Sequence, residues 1–253
     1  MNTFPMILAA ADGFTWWGAF GLFRGVPHYF VMALVIPVVL GGLAFLVKRS
    51  VESSDPLIPK APEQMGFGDW VREAFEGIVG YFMDLADSLM PHHHEGRGFL
   101  WLIVPLFLYI WVSNVFGLVP GFLPPTDSVN TNGAAALSVF ILYHAAGIRS
   151  TGLAYAKHFW APPGLAIYLA IPIGIVLGAI ELFSHAFRPV TLSLRLYGNI
   201  SGDHTVFASF LSLVPIGVPI VFLLFGLLVS TVQAFVFTLL TSVYIALATS
   251  HDH

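Results

Sequence analysis

Charge is what this sequence has least of. Only 9% of its 253 residues are Asp, Glu, Lys or Arg, while 57% are hydrophobic; soluble domains carry about 25% charged residues. So few charges cannot cover the surface of a water-soluble fold, and lipid must be the solvent for much of this chain. Residues 204–251 hold no Asp, Glu, Lys or Arg at all. Cysteine is absent, which excludes disulfides and thiolate metal sites. No GxxxxGK[ST] loop occurs, so no P-loop nucleotide site is expected. No basic residue precedes the short apolar run in 1–12, which makes that run a poor signal or transit peptide. The net charge of -4 is too small to imply a partner. No nucleic acid, cofactor or metal is expected.

What is there is apolar helix. A hydrocarbon core needs about 20 apolar residues. Residues 29–47 supply a first span, closed by Lys48 and Arg49, and 99–119 a second. Residues 133–148 supply a short third, closed by Arg149. The stretch beyond 165 is too long for one crossing. The prolines and glycine of Pro215-Ile-Gly-Val-Pro219 mark a turn in it, since they remove donors and permit a reversal. The last third therefore reads as two very long helices, 165–212 and 220–248, each outrunning a ~30 Å core and so tilted or bent. Between the first two spans, 66–90 places Trp70, Phe75, Ile78, Val79, Phe82, Leu85 and Leu89 at helical spacing. That segment reads as an amphipathic helix at the membrane surface or against a partner; periodicity alone fits an ordinary surface helix as well. The expected fold is all-α: one membrane domain of five embedded helices, the last two a tilted hairpin, plus an interfacial helix. Lys and Arg cluster in 48–98 and 149–164 and are missing from 120–132, which puts the first two segments and the C-terminus in the cytoplasm and the N-terminus outside.

Charges inside apolar helix are the strongest functional signal. A centred Arg costs about 2.5–3.5 kcal/mol on the insertion scale, so it pairs with something or lines a wet path. Glu181, Arg188 and Arg195 stand seven residues apart, Thr191, Asn199 and Gly202/Asp203 continue the face, and Ser184, His185 and His204 lie close to it. The last helix carries Gly226, Ser230, Gln233 and Tyr244 in a weaker stripe. With a turn near Gly217, residue i faces about residue 434 minus i. Asn199 then meets the turn holding Gln233, while Asp203 falls opposite 231, more than a turn from Gly226. A plainly structural alternative pairs Arg188 and Arg195 with Glu181 and Asp203 inside the chain, and Arg188 is close enough to the expected cytoplasmic end to snorkel. His92-His93-His94 reads as a solvated loop, because neighbouring helical residues point apart. Asp127, Asn130 and Asn132 read as turn residues.

The run Pro189-Val-Thr-Leu-Ser-Leu-Arg-Leu-Tyr-Gly-Asn199 resembles the Arg-centred motif of subunit a of F-type ATP synthases, bacterial type. So does Val232-Gln-Ala-Phe-Val-Phe-Thr-Leu-Leu-Thr-Ser-Val-Tyr-Ile-Ala-Leu-Ala248, and Asn114 with Gly117-Leu-Val-Pro120 and Trp160-Ala-Pro-Pro-Gly164 fit as well. The similarity runs from about residue 29 to the end. It implies a proton-conducting subunit with two offset half-channels, one copy per complex, in a bacterial inner membrane beside lipid, a rotating c-subunit ring and a b-subunit peripheral stalk. It implies that Arg195 is the fixed charge facing the ring carboxylates, that Asn199 is a polar position near that arginine and Gln233 the family's glutamine of the last helix, both on the proton path, that His204 lies in the outer half-channel, and that Glu181 belongs to the cytoplasmic exit. The chain would then be a component of an enzyme and no enzyme by itself. One departure matters: the family usually has His or Glu seven residues before the glutamine, and here that position is Gly226. Asp203, where many members have Gly, is expected to supply the missing titratable group. A stand-alone secondary transporter is the competing reading, but no internal repeat is visible. A structural scaffold would leave the expense of Arg195 unexplained.

Overall fold

The structure is a computed structural model that describes residues 28–53, 65–89, 95–119, 122–152, 167–213 and 218–249. Among them there is no strand. The helices are α1 (His28–Ser53), α2 (Phe67–Leu89), the single turn α3 (Glu95–Gly98), α4 (Leu100–Gly117), α5 (Val129–Thr151), α6 (Ile167–Leu213) and α7 (Val218–Thr249), with a 3-10 turn at Pro125–Asp127. Five of these, α1 and α4 to α7, are long and apolar enough to cross a membrane. The protein is an all-α membrane protein. His92–His94, the Trp160–Gly164 motif and most of the expected turn at 215–219 lie outside the described residues.

Two helices begin or end where local composition misleads. The Val-Asn-Thr-Asn sequence after Ser128 opens α5, so this span has 23 residues and is not short. Asn130 and Asn132 are thus first-turn helical residues and not turn residues. Polar side chains suit that position because the first-turn N–H groups have no intrahelical acceptors. Asn132 is buried and its Nδ2 donates to the Thr126 carbonyl at 2.7 Å, while the Thr126 hydroxyl donates to Asn114 Oδ1 at 2.8 Å. α1 likewise continues through Lys48 and Arg49 to Ser53, because a helix leaving the membrane needs no apolar residues.

The core lies where α4, α5, α6 and α7 meet. Ile110, Val139, Leu196, Phe237 and Ile245 are almost fully buried there. Thr238, Thr241 and Ser242 join this interior by returning their hydroxyls to carbonyls four residues back on α7, which satisfies them without a partner helix. α2 packs its Phe75, Ile78, Val79, Phe82 and Leu85 on Ile103, Val104 and Phe107 of α4. The amphipathic face is therefore covered within the chain, and Trp70, expected on that face, is turned outward. The start of α2 is tied to α1 by the Ser50 hydroxyl, which donates to buried Asp69, whose other oxygen accepts the Gly66 N–H at 3.1 Å.

α6 has 47 residues, roughly 70 Å at about 1.5 Å per residue, and α7 has 32. They form an antiparallel hairpin. Arg188 sits over the Tyr244 ring, Asn199 bonds Gln233 and Phe210 stacks on Phe222. Each pair puts residue i opposite 432 minus i, two residues from the register that a turn at Gly217 predicts. α6 continues through Pro189, which cannot donate to the carbonyl one turn back. In the same turn the Thr191 hydroxyl donates to the Phe187 and Arg188 carbonyls, both at 3.0 Å.

Candidate functional site

Leu192, Ser193, Leu196 and Ile200 face the core, and their burial fixes the rotation of α6. That rotation turns Thr191, Leu194, Arg195, Gly198 and Gly202 outward. Among the described residues Arg195 has no ion-pair or hydrogen-bond partner. Asp203 has no ion-pair partner among them either. The self-neutralising arrangement, with Arg195 balanced inside the chain, is therefore not formed. The groove beside the guanidinium is also open: a Cβ added at Gly198 or Gly202 would meet nothing within 4 Å.

Behind this face, the Asn199 amide donates to Gln233 Oε1 at 2.7 Å. The bond joins α6 to α7 one turn from Arg195. Gln233 is buried, and its Nε2 has no partner among the described residues. Both amides are neutral and untitratable, so they can order water and orient a proton path without holding a charge. Farther along α6, Asp203 and His204 are half-buried. Asp203 does reach Gly226: its Oδ2 lies 4.0 Å from where a Cβ on Gly226 would stand. The separation expected from helix register is overturned, because α7 sits two residues away from that register and an aspartate leans beyond its own turn. Leu118 Cδ2 closes the same space from α4, 3.0 Å from that Cβ position.

Toward the start of α6 a second polar group assembles, of which only Glu181, and less directly His185 and Arg188, carried a signal in the sequence. Glu181 Oε1 lies 3.9 Å from His185 Nε2. His185 Nδ1 lies 3.1 Å from the Tyr143 hydroxyl on α5 and 3.4 Å from an Arg188 nitrogen. The Arg188 guanidinium stands 4.7 Å over the Tyr244 ring, so it turns into the protein and does not snorkel outward. A cation held on an aromatic face in a dry site gains about 1–2 kcal/mol, enough to hold it inward. Tyr143 and His144 were missed, while Tyr244 was placed on the weaker stripe of α7 without a partner. The adjacent Tyr143-His144 pair in an otherwise apolar stretch of α5 was the available signal.

Two polar stations thus flank one exposed arginine on a single helix, and the described residues offer that arginine no counter-charge. The family model described as ATP synthase A chain matches residues 29–246. The chain belongs to that family. It is 38% identical over 234 residues to ATP synthase subunit a 2 of Syntrophotalea carbinolica, covering 92% of this chain and 88% of that one. It is 42% identical over 184 residues to ATP synthase subunit a of Bdellovibrio bacteriovorus, covering 72% and 76%. As a subunit a family member with several apolar helices, it is a multi-pass membrane component of an ATP synthase.

Proposed function

We propose that this chain is the ion-channel subunit of the ATP synthase membrane sector, conducting protons through two half-channels to and from the carboxylates of a c-subunit ring. The observation that carries the reading is the exposed Arg195, without a partner among the described residues and followed on the same helix by the open positions Gly198 and Gly202. A permanent cation in an apolar helix needs an anion, and the lack of one among the described residues supports a ring carboxylate in that role. A guanidinium is a fixed positive charge with donors and no acceptor. It attracts an ionised ring carboxylate, favours proton release from it and never carries the proton itself. A positive charge at that point also repels a proton that would pass directly from one half-channel to the other.

Asp203 and His204, with the Asn199–Gln233 pair, serve the outer route, and Glu181 serves the inner one. Asp203 takes the titratable role absent at Gly226, and its approach to the Gly226 position supports this. On this reading ATP is made elsewhere in the complex. The setting is a bacterial inner membrane, one copy per complex, with a b-subunit peripheral stalk and lipid as further neighbours. The N-terminus lies outside and the C-terminus in the cytoplasm. The decisive experiment is Arg195→Ala in membranes holding the whole complex. Loss of ATP-driven proton pumping with normal assembly is expected, and normal pumping refutes the reading.

A further inference from the structure

We propose that His185 is a proton-carrying residue of the inner route, passing protons between the Tyr143 hydroxyl and Glu181. The inference rests on the reading of Glu181 as part of that route. It starts from what each neighbour can do. An arginine has only donors, so the Arg188 nitrogen 3.4 Å from His185 Nδ1 requires an acceptor there. The Tyr143 hydroxyl, 3.1 Å from the same nitrogen, is then also a donor to it. With Nδ1 accepting, the proton of the neutral ring sits on Nε2. That edge faces Glu181 Oε1 at 3.9 Å, a gap that one water or a small rotation of the carboxylate closes.

The ring therefore joins two unlike environments. Tyr143 is fully buried, whereas the Glu181 side chain is 32% exposed and that of His185 only 12%. His185 lies one helical turn nearer Arg195 than Glu181 does. In the exit direction a proton reaches the Tyr143 oxygen, and the tyrosine's own proton passes to Nδ1. The Nε2 proton leaves to the Glu181 carboxylate, which releases it to the cytoplasmic side. One proton enters and one leaves, and Tyr143 and His185 end neutral. An Nδ1–H left in place would point at the Arg188 donor, so the ring reorients with its proton kept, bringing that N–H to the Glu181 edge and the bare nitrogen to Tyr143 and Arg188 for the next transfer. Imidazole suits the step because it can take a proton at one nitrogen while giving one from the other.

Among the described residues, the groups that set the field at His185 include Glu181 and Arg188 on its own helix, Tyr143 and His144 on α5, and Tyr244 on α7. The His144 ring centroid lies 5.4 Å from that of His185. His144 Nδ1 donates to the Phe140 carbonyl at 3.0 Å, which leaves it outside the relay.

The test uses proteoliposomes holding the whole complex and follows ATP synthesis under an imposed proton-motive force of constant size. The pH on the side of the catalytic sector is varied between about 6 and 8.5, across the ordinary histidine range. His185→Gln keeps a hydrogen-bonding side chain but cannot titrate. It is expected to lower the rate at least about tenfold and to flatten its pH dependence, with assembly unchanged and partial rescue by added imidazole. A wild-type rate and pH profile overturn the relay. Should His185→Gln not assemble, Tyr143→Phe replaces it: a displaced pH profile supports the relay and an unmoved one overturns it. Arg195→Ala is measured alongside. If it works normally, the reading of the whole site fails. If it is inactive while His185→Gln behaves as wild type, only the relay fails.

Discussion

Moving the outer-route carboxylate from one helix to the other is the sharpest test of how Asp203 and Gly226 divide their work. The perturbation has two steps, Asp203→Gly and then Asp203→Gly combined with Gly226→Asp. The first removes the acid and leaves His204 as the only titratable group in that stretch of α6. Positioned acid–base groups are worth about 10²–10⁴ in rate, so ATP-driven proton pumping should fall at least tenfold. The second step puts a carboxylate back in almost the same place. The Cβ position at 226 lies 4.0 Å from Asp203 Oδ2, and a carboxylate oxygen stands two bonds, about 1.5 and 1.2 Å, beyond its own Cβ. The new oxygen can therefore come within ~2 Å of the old one. The obstacle is Leu118 Cδ2, 3.0 Å from that Cβ. It is the end of a flexible side chain, and such overpacking costs about 1–3 kcal/mol, which lowers thermal stability and leaves the path intact. Pumping in inverted vesicles should recover to within about tenfold of wild type, the loss that a 1.4 kcal/mol barrier would produce. Wild-type pumping in Asp203→Gly, or a double variant as inactive as the single one although fully assembled, would refute the reasoning.

Four further outcomes follow from the same geometry. Asn199→Ala and Gln233→Ala, combined in a double-mutant cycle on complex stability, should show a coupling of about 0.6–1.7 kcal/mol; additive losses would mean that the 2.7 Å bond contributes nothing. Arg195→Lys should leave assembly intact and still reduce pumping, since a desolvated ammonium loses its proton where a guanidinium does not; pumping equal to wild type counts against a fixed-charge role. Gly198→Leu should be silent in thermal melts, because its Cβ position is open, yet stop pumping by obstructing the ring; active, stable complexes would show that no partner approaches there. Gly117→Ala should lower the melting temperature, because its Cβ would stand 2.6 Å from Pro124 Cγ and a proline ring cannot turn aside; an unchanged melt would contradict that crowding.

The extent of α6 and α7 was legible in the sequence because an apolar run and a proline-rich turn leave few alternatives. The Asn199–Gln233 contact was legible too, since antiparallel helices with a short turn restrict which polar residues can meet. The arithmetic failed at Asp203 for a physical reason. Register gives the height of a Cα along the neighbour, whereas contact depends on where the side chain leans and on how far the partner helix has slid. The opening of α5 was hidden because Ser, Asn and Thr favour turns and helix starts alike. Periodicity located the apolar face of α2 but could not say that α4 covers it, and Trp70 pointing away shows how loosely spacing alone assigns a face. Tyr143, and the Arg188 contact of Tyr244, were invisible for a related reason: each ring is an ordinary aromatic until a three-helix packing brings it to His185 or Arg188.

The absence of a counter-charge for Arg195 among the described residues also bears on what sort of partner it meets. A single fixed carboxylate would make a permanent buried ion pair, and such pairs roughly break even against desolvation. That arrangement would spend an intramembrane arginine on adhesion that aliphatic packing supplies more simply. Adhesion would also favour side chains beside the arginine, yet Gly198 and Gly202 leave the backbone bare on either side of the bond that anchors Asn199. A smooth, open track around a permanently charged group suits carboxylates that arrive, ionise and leave in succession. On the proposed function, the stations at Asp203 and Glu181 then have a reason to stand apart along α6, because each would serve a carboxylate at a different stage of its passage. On this argument Gly198→Leu and Arg195→Ala should fail differently: the leucine should block motion while ionisation continues, and the alanine should free the track while losing control of the proton. Resistance to rotation in the first and uncoupled proton leak in the second are the two signatures to measure.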